Sequence, residues 1–373
     1  MNRFSAATLA TALLSLPALE AEEAKPVKTV EPNVEFRQTA PVPQPVARTL
    51  REAVDELPDA DLEAIVGLLR EHYLAPEKIN EAALARATAQ GLFERFAPGF
   101  SLLYEPAKEA AADQPFRSES IDQRAGYIRL GSLTEERLGE IDAALKIFTE
   151  RALPAAIIDL RATPAGSNFE LAAKICERFC PKGRVLFTVR RPHTQQELIL
   201  TSKQDPAFSG IVVTLVDADT AGAAEAISAV LRTQAKALII GQRTRGETVE
   251  YAEVALPSGR KMRVAVAEVA LPENIVVFPG GIQPDVDVDI SPEENEKVLK
   301  TGLESGVASL VVETERPRIN EAALVAGTNP ELDAYRASRG KKAETPLRDT
   351  VLQRALDAIT TIALFEKKPA AKK

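Results

Sequence analysis

The order of segments between Ile211 and Ile290 constrains this chain more than any other feature. An apolar run, IVVTLV, leads into the small residues of DTAGAAEA and a helical pattern, and a second apolar run, ALIIG, follows. Short apolar runs bounded by turn residues read as strands buried on both faces. Two such strands joined by a helix call for a parallel sheet with a right-handed crossover. A charged turn, a long hairpin and the closing phrase GIQPDVDV complete the stretch. A strand that turns through small residues into a helix is also how an enzyme presents a nucleophile at a helix N-terminus. In DTAGAAEA the side chain for that chemistry is missing.

The same alternation extends upstream. Ala125–Leu130, Ala155–Leu160, Arg184–Val189 and Glu197–Thr201 read as strands, and Thr134–Glu150 as an amphipathic helix. A further helix is expected over Ser167–Phe179, where Ser167 and Glu170 have capping-box spacing. Ahead of this α/β core lie two helical patterns, Leu57–Leu69 and Asn80–Phe96, the second with Asn80 as its N-cap. Behind it, Glu293–Leu303 reads as a charged helix, Val307–Glu313 as a short strand, and Asp349–Ile362 as an amphipathic helix capped by Asp349. The expected organisation is a signal peptide over 1–21, a disordered linker over 22–47 and a helical region over 48–115. The core follows over 116–292, then a helical C-terminal region with a basic tail over 293–373.

Composition removes several functions. The net charge is −8, tryptophan is absent and no basic stripe alternates with aromatics, so nucleic acid is not an expected partner. The opening MNRFSAATLATALLSLPALEA has a positive start and an apolar stretch too short to span a bilayer, the pattern of a secretory signal. The expectation is an exported, periplasmic protein without a transmembrane anchor after cleavage. Cys176 and Cys180 lie one helical turn apart and read either as a disulfide or as two small core fillers. With His72 and His193 distant in sequence, no metal is implied, and no cofactor motif is present.

Five phrases together resemble one family. AGYIRLGSL, IIDLRATPAGS, ALIIGQRTRGE, GGIQPDVDV and RDTVLQRALDAI resemble, in order and spacing, the motifs of the C-terminal processing peptidases, or tail-specific proteases. These exported serine peptidases have a core of the ClpP/crotonase type and a Ser–Lys dyad. The resemblance covers roughly Ala125–Ile290. It implies an α/β core of that type with helical flanks, and it departs from the family where a PDZ domain would stand, since Tyr104–Gly126 has room only for a linker.

Carried over position by position, the resemblance puts the nucleophile at Gly222, fixed by Glu225, and the lysine at Glu247, fixed by Gly241 and Gly246. Glycine offers no attacking atom and a carboxylate is not the neutral amine that the dyad needs. An oxyanion-hole-like site would use Gly166, Ala165 and Ala223, and a peptide groove would run past Thr220, Gly222 and Tyr251. The resemblance thus implies a peptidase frame without catalysis, binding unfolded or C-terminal segments of envelope proteins, with an active paralogue as a second partner. The alternatives are a hydrolase with displaced groups, drawn from Thr220, Ser228, Lys236 and Lys261, and a structural oligomer subunit.

Overall fold

The computed structural model describes residues 49–103, 113–311 and 347–366. The expected signal peptide, linker and basic tail lie outside them. Contacts divide the chain into two compact units, Met1–Ile79 and Asn80–Lys373. In the first, α1 (Leu50–Asp55) starts with a full capping box between Thr49 and Glu52. Helix α2 (Asp59–His72) carries acids in its first turn and Arg70 in its last, as the helix dipole favours.

The second unit opens with α3 (Glu81–Arg95), capped as expected by the Asn80 side chain on the N–H of Ala83. Next come β1 (Phe100–Leu103), β2 (Arg117–Ile121), β3 (Ala125–Arg129), α4 (Glu136–Glu150), β4 (Ala155–Asp159), α5 (Phe169–Cys176), β5 (Val185–Arg191) and β6 (Gln196–Thr201). After these run β7 (Ile211–Val216), α6 (Ala223–Ala235), β8 (Leu238–Gly241), β9 (Val249–Ala255), β10 (Lys261–Leu271), β11 (Ile275–Val276) and β12 (Val286–Asp287). Helices α7 (Pro292–Ser305) and α8 (Thr350–Glu366) complete the described elements.

One sheet has the order β12-β8-β7-β4-β3-β2, parallel from β12 to β3 with β2 antiparallel at its edge. The other is antiparallel, with β10 as its spine pairing β1, β5, β9 and β11. Strict side-chain alternation sorts the parallel strands between two cores. Ile128, Ile158, Val212 and Ile239 face one core, which α4, α5 and α6 share with Phe187, Val189 and Val269 of the antiparallel sheet. Tyr127, Ile157, Val213 and Ile240 face the other, closed by Val351, Leu352, Ala355, Leu356 and Ile359 of α8.

Three expectations change. The cap of α5 is Asn168, which accepts from the N–H of Leu171, so the helix starts just after the Ser167–Glu170 box. Ala308–Leu310 is a 3-10 turn, not part of a strand over Val307–Glu313. Strands β1 and β2 were not anticipated. The two cysteines are unbridged and buried, with burial pushing the Cys180 thiol up to about 12.

An ionic cluster sits under α8. Arg161 bonds both oxygens of Asp159 and both oxygens of Asp349. Tyr127 donates to Asp159 at 2.6 Å, and Asp349 also caps α8 on the N–H of Leu352. Arg129 bonds the Tyr127 hydroxyl and the carbonyl of Leu299 in α7. The cluster joins the ends of β3 and β4 to both C-terminal helices.

Candidate functional site

The turn from β7 into α6 is built by its own side chains. Asp217 accepts from the N–H groups of Asp219 and Thr220 and from the Thr220 hydroxyl, folding the chain back on itself. The backbone then passes through Gly222 at φ 60° and ψ −122°, a region that side-chain-bearing residues rarely occupy. A Cβ built on Gly222 would overlap the carbonyl oxygen of Gly166. That carbonyl takes the N–H of Ala223 at 2.7 Å, the first donor of α6. The space where a nucleophile's side chain would begin is filled by main chain from the 164–167 turn.

Glu225, one turn into α6, is fully buried and collects four donors: the N–H groups of Gly222, Gly246 and Glu247 and the hydroxyl of Thr244. Burial pushes its carboxyl up, and these hydrogen bonds partly offset that. The arrangement fastens the 244–247 loop to the start of α6, which explains why Glu247 stands beside Gly222. Glu225→Gln would turn an amide NH2 toward main-chain donors, with an expected loss of about 2 kcal/mol in urea unfolding.

Ala165, Gly166, Gly222, Glu247, Tyr251 and Arg263 border a cavity of about 130 Å³. Glu247 lies 3.7 Å from the guanidinium of Arg263, which stacks over the Tyr251 ring at 4.0 Å. The Tyr251 hydroxyl donates to the carbonyl of Pro98 at 3.0 Å. Burial, with the Glu247 charge beside it, pushes this phenol up to about 12, so it stays protonated at neutral pH.

The structure thus brings Gly222, Glu247, Gly166, Ala165 and Tyr251 together. It does not bring Thr220, whose buried hydroxyl is closed on Asp217, nor does Ala223 offer a free N–H. Of the displaced hydrolase groups, Ser228 is buried against the Thr214 hydroxyl at 3.1 Å, Lys236 is the left-handed cap ending α6, and Lys261 pairs with Glu253 on an exposed hairpin. None of these meets another as nucleophile and base. Arg263 escaped the sequence reading, because it arrives from β10 with no motif around it; the alternating pattern of KMRVAV was the one available signal.

Residues 124–288 match peptidase family S41. They are an S41 domain. Among curated relatives, a carboxyl-terminal-processing protease of Synechocystis sp. is 29% identical over 167 residues, which is 45% of this chain and 38% of that protein. The carboxy-terminal processing protease CtpA of Bacillus subtilis is 26% identical over 173 residues, 46% of this chain and 37% of its own. The chain therefore matches under two fifths of the length of these two relatives. Among solved structures, a photosystem II D1 C-terminal processing protease aligns with TM-score 0.43 at 24% identity, covering 59% of this chain and 54% of that one. A peptidase from Parabacteroides merdae aligns with TM-score 0.48 at 18% identity, covering 65% and 85%. The S41 match over residues 124–288 and the processing-protease relatives support a core of the C-terminal processing protease type, of mixed α/β fold. No described helix is long and apolar enough to cross a membrane.

Proposed function

We propose that the S41 domain of this chain is proteolytically silent and serves the cell envelope as a binding or scaffold protein for extended polypeptide segments. The closure of the Gly166 carbonyl on the Ala223 N–H, made over a residue without a side chain, carries this reading. Acyl transfer requires an oxygen or sulfur to attack, a base to take its proton, and donors for the oxyanion. Gly222 supplies no attacking atom. Glu247, where the resemblance places the lysine, faces Arg263 as an ion-pair partner. The Ala223 donor is already engaged, while the N–H groups of Ala165 and Gly166 have no protein acceptor among the described residues.

Peptide recognition has its own support. Strand β9 pairs with β10 on one side and with no other described strand, and Val249 and Tyr251 at its start border the small cavity. An extended segment laid along β9 would gain main-chain hydrogen bonds while its side chains pass the Tyr251–Arg263 stack. Polypeptide ends are a natural class of partner, because the curated relatives are named for processing them. Export rests on the pattern of residues 1–21, outside the described structure.

The test is direct. Purified chain incubated with an unstructured protein such as casein, and separately with a fluorophosphonate probe, is expected to give neither cleavage nor a label. Cleavage or labelling that tracks with the chain through purification would overturn the reading. Photo-crosslinking of unstructured peptides should give contacts on β9 and near Gly166; crosslinks found only elsewhere would remove the groove from the proposal and move weight to a structural subunit.

A further inference from the structure

A second and larger cavity, of about 720 Å³, opens at the carboxyl ends of β3, β4 and β7 and is roofed by α7. The carboxyl ends of parallel strands are where open α/β sheets gather their ligand groups. Its walls hold polar atoms that the protein leaves unmatched. Arg129, 1% exposed, keeps Nη2 without a hydrogen bond, with the Asp159 carboxylate 3.9 Å away, and Thr163, 5% exposed, keeps its hydroxyl without one. Asn295 gives its amide N–H to Asp217 at 2.8 Å, which leaves its Oδ1 buried and unpartnered. Buried polar atoms without partners are rare in folded chains, and these three all belong to residues lining one cavity.

We propose that this cavity binds a small carboxylic acid bearing an ammonium or hydroxyl donor beside its carboxylate, an α-amino or α-hydroxy acid. The Arg129 guanidinium and the Thr163 hydroxyl are donors for a carboxylate, and Lys300 adds a cation on the α7 side. The Asn295 carbonyl oxygen is an acceptor for the neighbouring ammonium or hydroxyl. Arg161 and Arg245 also line the space but are held by Asp159 and Asp349 and by Asp219, which leaves Asp217 and Glu296 to oppose a multiply charged anion such as phosphate. Asp217 has its own oxygens occupied by Asp219, Thr220 and Asn295, so it shapes the site without needing the ligand. Ala165 borders both cavities, and this places the ligand one residue from the Gly166 carbonyl that closes on α6.

Calorimetry on the full chain tests the proposal with the proteinogenic amino acids, lactate and malate, and with inorganic phosphate and choline as single-sign controls. Saturable millimolar or tighter binding of at least one amino or hydroxy acid is expected, with neither control binding; which arm binds identifies the donor. Thr163→Val removes an unpartnered hydroxyl at nearly constant shape, so it should fold with unchanged or higher melting temperature and bind about tenfold more weakly. Lys300→Ala, on the exposed side of α7, should weaken binding in the same direction. Absence of saturable binding by every acid, binding of phosphate as tight as that of the acids, or unchanged affinity in Thr163→Val would each overturn it.

Discussion

Gly222→Ser, alone or with Glu247→Lys, is expected to leave the protein unable to cleave casein or take a fluorophosphonate label, and to lower its melting temperature. A serine would have to hold φ near 60° while its Cβ enters the space of the Gly166 carbonyl. Backbone strain of this kind costs about 1–3 kcal/mol, which for a chain of this size is roughly 2–10 °C. The lysine half of the change meets less resistance. Arg263 would lie beside a lysine at 247 and favour its neutral, proton-accepting form. What blocks recovery is therefore the 164–167 turn, and adding Ala165→Gly should relax it by widening the conformations open to that peptide. The triple variant is expected to label where the double variant does not. Labelling of the double variant at unchanged melting temperature would show instead that the turn yields freely.

Arg161→Met is expected to cost 3–5 kcal/mol in urea unfolding, on the order seen when one partner of a buried ion pair is removed. It would leave Asp349 without its cation and Asp159 with Arg129 alone, 3.9 Å away, both carboxylates being fully buried. The loss should appear first as release of α8, read as hydrogen exchange in Val351–Ile359 ahead of β4. The cluster also predicts a pH dependence. Burial opposes ionisation of Asp159, but the charge and bonds of Arg161, with Arg129 and Tyr127, outweigh it and hold the carboxyl at about 2. A depressed carboxyl stabilises the fold above its ordinary value and loses that contribution as pH falls toward the folded one. The native protein should thus lose roughly 2 kcal/mol between about pH 4 and pH 2 through this group. In Arg161→Met that slope should shrink, and an identical acid limb in both proteins would remove Asp159 from the account.

The legible parts of the chain were those where burial is written twice, in apolar content and in length. Strands β4, β7 and β8 are covered on both faces, and their consecutive Ile, Val, Leu and Ala residues mark them as buried strands. Strand β2, RSESI, is polar because it is a sheet edge, and β1 is too short to carry a period, so pairing alone reveals them. Asn168 took the cap from Ser167 because both residue types serve and only the backbone chooses. At the candidate site, spacing pointed to Gly222 and Glu247, which the fold sets beside one cavity, but it says nothing about which way a peptide plane faces. The Gly166 carbonyl turns onto the N–H of Ala223, an orientation that depends on Gly222, a residue with no side chain. Arg263 and Asn295 joined their cavities from elements whose local sequence gives no sign of a site.

The position of α8 also sets an order of events for the newly made chain. Its residues pack into the core on one face of the parallel sheet, together with Tyr127, Ile157, Val213 and Ile240, and Asp349 completes the charge balance of Arg161. Every strand of that sheet leaves the ribosome well before residue 349, so a growing chain carries an uncovered apolar surface and an incompletely neutralised arginine. Native structure can close only once residues 349–366 have been made. During that interval the nascent protein is a substrate for chaperones and proteases, and a change that weakens α8 would be felt as lower yield before it is felt in the finished fold.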